Sequence, residues 1–155
     1  MDITIIHLDP QGDVANDCLY ILEVKTTGQV TLNYASALIA DYEKLLDQTN
    51  PDTSLGARVK WLKTKLKYEH KLDKALLDRV DDLYRPLASD CARIKLLPTL
   101  VHDRRYGDPI QTLGAVSDAI SSQGWPARNI ESQSIALRRL DDCLSHLAKL
   151  TDFVP

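Results

Sequence analysis

The sequence has few of the features that mark secreted, membrane or disulfide-rich proteins. Its three cysteines, Cys18, Cys91 and Cys143, are too few and too widely spaced for a disulfide framework or a CxxC metal motif, and they fit reduced thiols in the cytoplasm. No apolar run approaches the roughly 20 residues of a membrane span. Met1 to Pro10 also lacks the basic start of a signal peptide. We therefore expect a cytoplasmic protein with no membrane partner.

Motifs that bind phosphate or carry nucleophilic catalysis are missing as well. The chain contains no GxSxG, GxGxxG or GxxxxGK sequence, and no two histidines, or histidine and cysteine, have the spacing of metal ligands. We accordingly predict no cofactor and no metal site. The net charge of −3 excludes a uniformly basic protein that coats nucleic acid, but it allows a local basic patch.

The composition is that of an ordinary globular protein. A chain of 155 residues has the usual size of one domain, and a hydrophobic content of 44% argues against disorder. No repeat or long linker divides the chain. We therefore predict a single domain over residues 1–155.

The first 34 residues allow more than one secondary structure. Apolar and polar residues alternate from Met1 to Leu8, which favours a strand, and residues 9–13 (DPQGD) form a turn. From Val14 to Tyr34 the pattern fits both strands and a helix with one apolar face. This part is predicted to be a short strand or hairpin, or a strand followed by a helix.

From residue 35 onward, helical spacing of apolar residues dominates. The first stripe spans Ala35 to Leu46, and a second helix follows Asn50-Pro51-Asp52 with Asp52, Thr53 or Ser54 as its cap. A third, long helix starts at Lys71, is kinked at Arg85-Pro86 and ends near Pro98. Two more are predicted to start at Asp108-Pro109 and at Asn129. The fold class expected from residues 35–155 is mainly α: an antiparallel bundle of about five helices.

A basic segment lies in the second predicted helix and continues past its end. Seven cations and two acids give residues 58–74 a net charge of +5, and Trp61 and Tyr68 lie among the lysines. Such a segment can bind a phosphate backbone or an acidic protein partner, with the aromatic rings stacking on bases. The alternative is a solvated helix face, since lysine is a good helix former. The candidate binding residues are Arg58, Lys60, Trp61, Lys63, Lys67 and Lys71.

A second polar cluster, His102-Asp103-Arg104-Arg105, follows the long apolar stretch. A histidine beside two guanidinium groups has the parts of a general acid and base with a phosphate clamp. The candidate catalytic residues are His102, Arg104, Arg105 and Lys95. The alternative is a polar loop with a local Asp–Arg pair.

The order of these predicted elements resembles the HEPN-type helical proteins, many of which are ribonucleases or components of toxin and defence systems. The resemblance covers residues 35 to the C-terminus and is carried by the helix ending Tyr42-Glu43-Lys44-Leu45-Leu46, the helix over residues 55–62, a long helix ending in a histidine loop, and a final helix over residues 129–150. Active members of that family carry an arginine and a polar residue before the histidine, with four to six residues between the arginine and the histidine. Here Lys95 has that position relative to His102, and Arg93 lies too far upstream, so the resemblance implies a non-catalytic relative.

Two functions follow from these observations. The first is a non-enzymatic interaction module, an adaptor or small inhibitor that binds a protein partner through charged faces and forms a homodimer. The alternative is an HEPN-like, metal-independent ribonuclease or RNA-binding protein.

Overall fold

The computed structural model describes residues 2–27, 35–47, 49–83, 93–105 and 107–151. These ranges contain four strands and five α-helices. In chain order they are β1 (Asp2–His7), β2 (Cys18–Thr27), α1 (Ala35–Leu46), α2 (Leu55–Tyr68), α3 (Lys74–Leu83), β3 (Ile94–Asp103), α4 (Pro109–Ser122), β4 (Gln133–Leu137) and α5 (Leu140–Thr151).

The strands form one mixed sheet in the order β1-β2-β3-β4. The hairpin partners β1 and β2 are antiparallel, and Asp2 is the register partner of Glu23. Strand β3 is parallel to β2, and β4 is parallel to β3. The three parallel strands therefore end at the same edge of the sheet, which we call the carboxyl edge.

Helices cover one face of the sheet. Residues with odd numbers in β2 point to this face, since Leu19 and Ile21 are fully buried in the same apolar cluster as Leu38 of α1 and Val116 of α4. The hydroxyl of Tyr42 on α1 donates a hydrogen bond to the Ile21 carbonyl, 3.2 Å away. The main core thus lies between the sheet and its helices.

The prediction of a mainly α, five-helix bundle is wrong, because the fold is α/β with a four-stranded sheet. The long third helix is the main cause. Its stripe forms α3 only as far as Leu83, Leu87 and Cys91 lie outside the described residues, and Ile94–Asp103 is a central strand. A strand with parallel neighbours on both sides is apolar on both faces, so β3 lacks the alternation that identifies an exposed strand.

The fifth predicted helix is also divided. Residues 127–129 form a single 3-10 turn, Gln133–Leu137 is the edge strand β4, and α5 starts at Leu140. Parts of two elements that carried the resemblance to HEPN-type proteins are therefore strands: Ile94–Asp103 in the helix predicted to lead to His102, and Gln133–Leu137 in the predicted last helix. Pro98, predicted to end a helix, lies inside β3, and the β3–β4 ladder starts one residue later at Thr99.

Several local predictions are confirmed. β1 and the turn at residues 9–13 have the expected places, and α1 has the predicted bounds. Among the three proposed caps of α2, the Ser54 hydroxyl accepts from the Ala57 amide, and Asp108 caps α4 with Pro109 in its first turn. Two other predictions concern residues outside the described ranges: the secondary structure of residues 30–34 and the helix kink at Arg85-Pro86. No helix in the described ranges is long and apolar enough to cross a bilayer.

Candidate functional site

The basic segment predicted from the sequence is helix α2 and the turn after it. Lys60 and Lys67 are exposed, and the Trp61 side chain is 59% exposed. Lys63 is paired with Asp81 of α3, so its charge is partly neutralised. Lys71 lies beyond the helix in a left-handed conformation. Lys60 and Lys67 therefore lie on the solvent side of α2, which both the binding interpretation and the alternative of a solvated face require.

The two aromatic residues on α2 are each contacted by a lysine. The Lys65 ammonium lies 4.6 Å from the centre of the Trp61 ring, and that of Lys67 lies 5.1 Å from the centre of the Tyr68 ring. These cation–π contacts keep both rings on the surface beside positive charge. An exposed aromatic ring next to a cation is a surface on which a nucleic-acid base can stack.

The second predicted site lies at the carboxyl edge, and the structure separates its members. His102 is buried, with Nδ1 2.7 Å from the Asp103 carbonyl and Nε2 2.8 Å from the Ser134 hydroxyl. A carbonyl only accepts, so Nδ1 carries a proton, and proton transfer through Nε2 would require His102 to give up its bond to Ser134. The catalytic role of His102 stays a prediction.

Lys95 is not near His102. Lys95 and His102 are seven positions apart along β3, which corresponds to roughly 23 Å and to opposite faces of the sheet. The Lys95 ammonium instead pairs with Glu131 at 3.0 Å and donates to the Arg128 carbonyl at 3.1 Å. Arg104 and Arg105, in contrast, lie at the surface directly after β3. The four predicted catalytic residues therefore do not form one site.

A cavity with several charged lining residues, which sequence reasoning missed, lies between β2, α1 and α2. It has a volume of about 600 Å³, and we call it the Glu23 cavity. Its lining comes from the hairpin, from α1, from the turn before α2 and from the inner side of α2: Thr4, Glu23, Asp41, Lys44, Asp52, Thr53, Ala57, Arg58, Trp61 and Leu62. Arg58 and Trp61 connect this cavity to the basic segment.

Glu23 is a charged residue in the interior of the domain. Its side chain is 1% exposed, and Oε1 accepts a hydrogen bond from Nη1 of Arg58 at 3.0 Å. Burial of a carboxylate has a cost of several kcal/mol that only a well-placed counter-charge offsets. Arg58, predicted as a surface cation, therefore points inward and holds this carboxylate.

A second ion pair lies beside the first. Lys25, two residues after Glu23 on the same face of β2, pairs with Asp41 of α1, and both side chains are about one quarter exposed. Asp41 also lines the Glu23 cavity. Glu23, Asp41 and Arg58 thus line the cavity, and Lys25 is linked to it through its pair with Asp41.

The charge of Glu23 also affects Tyr42, a buried residue of the core. Burial and the negative charge of Glu23 raise the pKa of Tyr42 far above its usual value. Tyr42 therefore remains protonated and keeps its hydrogen bond to Ile21, two residues before Glu23 on β2. This bond fixes α1, which carries Asp41, against the strand that carries Glu23 and Lys25.

The carboxylates do not form a complete protein cage for a metal. In the described ranges, no three His, Cys, Asp or Glu side chains are arranged to hold an ion. Mg²⁺ does not require such a cage, because it commonly binds through one or two carboxylates together with water and substrate phosphate oxygens. Glu23 and Asp41 can supply those carboxylates.

One signal in the sequence could have found this site. In β2, Glu23 and Lys25 occupy the face that also carries Leu19 and Ile21, so two charged residues lie on the inner face of an apolar strand. Charged residues at core positions are rare unless they are paired or functional. The comparisons add nothing to this geometry: no family model, curated protein sequence or solved structure matches the chain.

Proposed function

We propose that the protein hydrolyses phosphodiester bonds in a nucleic acid with the help of a divalent cation, in the Glu23 cavity. The observation that carries this proposal is the buried Glu23 carboxylate, with Lys25 and Asp41 beside it, at the inner side of a basic helix. We also propose that the protein acts in the cytoplasm.

The parts of the cavity match the needs of this reaction. A phosphodiester resists attack because it is negatively charged, and a divalent cation neutralises that charge and lowers the pKa of a bound water. Glu23 and Asp41 would hold the cation. The Lys25 ammonium and the Arg58 guanidinium would then bind the phosphate and stabilise the charge that develops during attack by water.

The two ion pairs explain how the cavity can be stable before substrate binds. Arg58 and Lys25 balance the carboxylates in the free protein. With substrate bound, Glu23 and Asp41 would hold the cation, and Arg58 and Lys25 would hold the phosphate. The buried Glu23 carboxylate would then have an opposite charge beside it in both states, which avoids the cost of an unpaired buried ion.

The basic segment supplies the affinity for a long anionic substrate. Lys60 and Lys67 lie on the exposed side of the helix whose inner side lines the cavity, and Trp61 borders both. A nucleic-acid strand that follows the lysines would place one phosphate at the cavity, with a base against Trp61.

A cleavage assay tests the proposal. Purified protein is incubated with mixed DNA and RNA substrates and Mg²⁺, and parallel reactions contain EDTA. We expect cleavage that needs the cation and is lost in Glu23→Gln and in Lys25→Met. The exposed substitutions Glu43→Gln and Lys149→Met are matched controls that should retain it. The reaction is repeated with Mn²⁺ and with Ca²⁺ in place of Mg²⁺. Substrates that stay intact with each of the three ions, or equal cleavage by Glu23→Gln and the unchanged protein, would refute the proposal.

A second candidate is the interaction module predicted from the sequence. The exposed Trp61 and Tyr68 rings support it, because aromatic residues beside cations are frequent at protein interfaces. Lys60→Glu with Lys67→Glu should abolish capture of an acidic protein partner without changing the melting temperature; Lys63 is left intact because it pairs with Asp81. The homodimer remains a prediction of this candidate.

A further inference from the structure

Four arginines meet at the carboxyl edge of the sheet, away from the Glu23 cavity. Arg104 and Arg105 directly follow β3, and Arg138 and Arg139 directly follow β4. Because β3 and β4 are parallel, their ends are adjacent, and the Arg104 amide donates to the Leu137 carbonyl at 3.0 Å. With three aspartates these arginines line a second cavity of about 490 Å³, the arginine cavity.

Two of the four guanidinium groups are paired within the cavity. Arg105 binds both carboxylate oxygens of Asp103, through Nε at 2.8 Å and Nη2 at 3.2 Å. This contact, together with the Arg105 amide, holds the pKa of Asp103 well below its usual range. Arg139 pairs with Asp142 two residues into α5. Asp103 and Asp142 are therefore already neutralised.

The other two cations face the cavity without such a pair. Across the described part of the chain, the Arg104 and Arg138 side chains are exposed and have no carboxylate within ion-pair distance. The remaining aspartate of the lining is Asp141. Four arginines and three aspartates give the arginine cavity a net charge of +1. Arg139, in a left-handed conformation at φ 56°, turns the chain between β4 and α5 and keeps Arg138 beside the end of β3.

We infer that the arginine cavity binds a phosphate group carried on the end of a nucleic acid or on a nucleotide. The planar guanidinium group matches phosphate oxygens in pairs, and two of them here have no other anion to bind. The volume exceeds that of phosphate alone, so the attached sugar also fits.

This inference does not depend on the proposed hydrolysis, and its test is made in EDTA, where no cleavage occurs. The probes are a fluorescent hexanucleotide with a 5′-phosphate, its 5′-hydroxyl counterpart and inorganic phosphate. We expect the 5′-phosphate to increase affinity about tenfold, as a charge-assisted contact of this kind does. Arg104→Gln with Arg138→Gln should remove this preference and leave the affinity for the 5′-hydroxyl probe less affected.

Controls separate a specific site from general charge. Arg128→Gln with Lys149→Gln removes the same charge from exposed positions outside the arginine cavity and should retain the preference. Competition by inorganic phosphate that depends on Arg104 and Arg138 would also support the site and would identify free phosphate as a sufficient ligand. Equal affinity of the unchanged protein for the two hexanucleotides, without binding of inorganic phosphate, would overturn the inference, and so would a preference that survives the double arginine substitution.

Discussion

The dependence of Glu23 on Arg58 gives the most informative stability prediction. Arg58→Met removes the guanidinium and leaves a similar apolar stem, so the Glu23 carboxylate loses the counter-charge that lies 3.0 Å away. Breaking a buried ion pair in this way destabilises proteins by about 3–5 kcal/mol. Since the Arg58 side chain is 20% exposed, we expect a value at the lower end, about 3 kcal/mol. For a chain of this size that lowers the melting temperature by roughly 6–12 °C.

Thermal melts at several pH values test this reasoning. The loss should be larger at neutral pH than in acid, because acid protonates carboxylates and so removes the charge that Arg58 balances. Arg58→Met combined with Glu23→Gln should recover part of the loss, because neither charge is then buried alone. Lys63→Met on the same helix breaks the more exposed pair with Asp81 and should cost less than about 1 kcal/mol. A loss in Arg58→Met no larger than in Lys63→Met would refute the account of Glu23.

Two further predictions concern the scaffold. Asp17 is buried and paired with Arg79, whose hydrogen bonds lower the pKa of Asp17 below 3.8. The stabilisation from this pair is present above that pH and is lost as the pH falls further. Asp17→Asn should therefore be less stable than the unchanged protein at neutral pH and should show a smaller additional loss between about pH 4 and 2 in an acid-denaturation series. An unchanged acid limb would contradict this. Asp108→Ala removes the cap that accepts the Gln111 amide at 2.9 Å, and urea denaturation should show a loss of about 1 kcal/mol, whereas Asp118→Ala inside the same helix should not reproduce a capping loss.

The parts of the fold predicted from the sequence are those whose signals are local. Helix α1 has one apolar stripe, and its buried residues are the ones at helical spacing. The Asp108-Pro109 start of α4 and the Ser54 cap of α2 follow from side-chain hydrogen bonds within a few residues. In each case the chain segment contains everything that fixes its own structure.

The sheet could not be predicted because its signals depend on distant partners. Strand β3 (Ile94–Asp103) is flanked by β2 and β4, and helices cover one face of the sheet, so most of its side chains are buried on both faces. A mostly apolar segment of this kind fits a buried helix equally well. Gln133–Leu137 is an exposed edge strand with only one apolar neighbour in the sheet, and its own residues carry a weak strand pattern. Tertiary contacts decided both elements.

The candidate site was found only in part for the same reason. The lysines and Trp61 of α2 were visible as a charge cluster, yet the inward direction of Arg58 depends on Glu23, which lies 35 residues earlier. Glu23, Lys25 and Asp41 could not be predicted as site residues, because they come close together only when β2 is an inner strand packed against α1. Once the strand assignment is known, the two charges on its inner face are the clearest functional signal in the chain.

Binding of a divalent cation at Glu23 is the central claim, and Mn²⁺ titration followed by electron paramagnetic resonance tests it directly. The titration is made with an oligonucleotide whose phosphorothioate linkages resist cleavage, so that substrate phosphates can complete the coordination. We predict one Mn²⁺ bound per chain, its loss in Glu23→Gln, and its retention in Glu43→Gln. Equal Mn²⁺ binding by the unchanged protein and by Glu23→Gln, or no bound Mn²⁺ in either, would contradict the account.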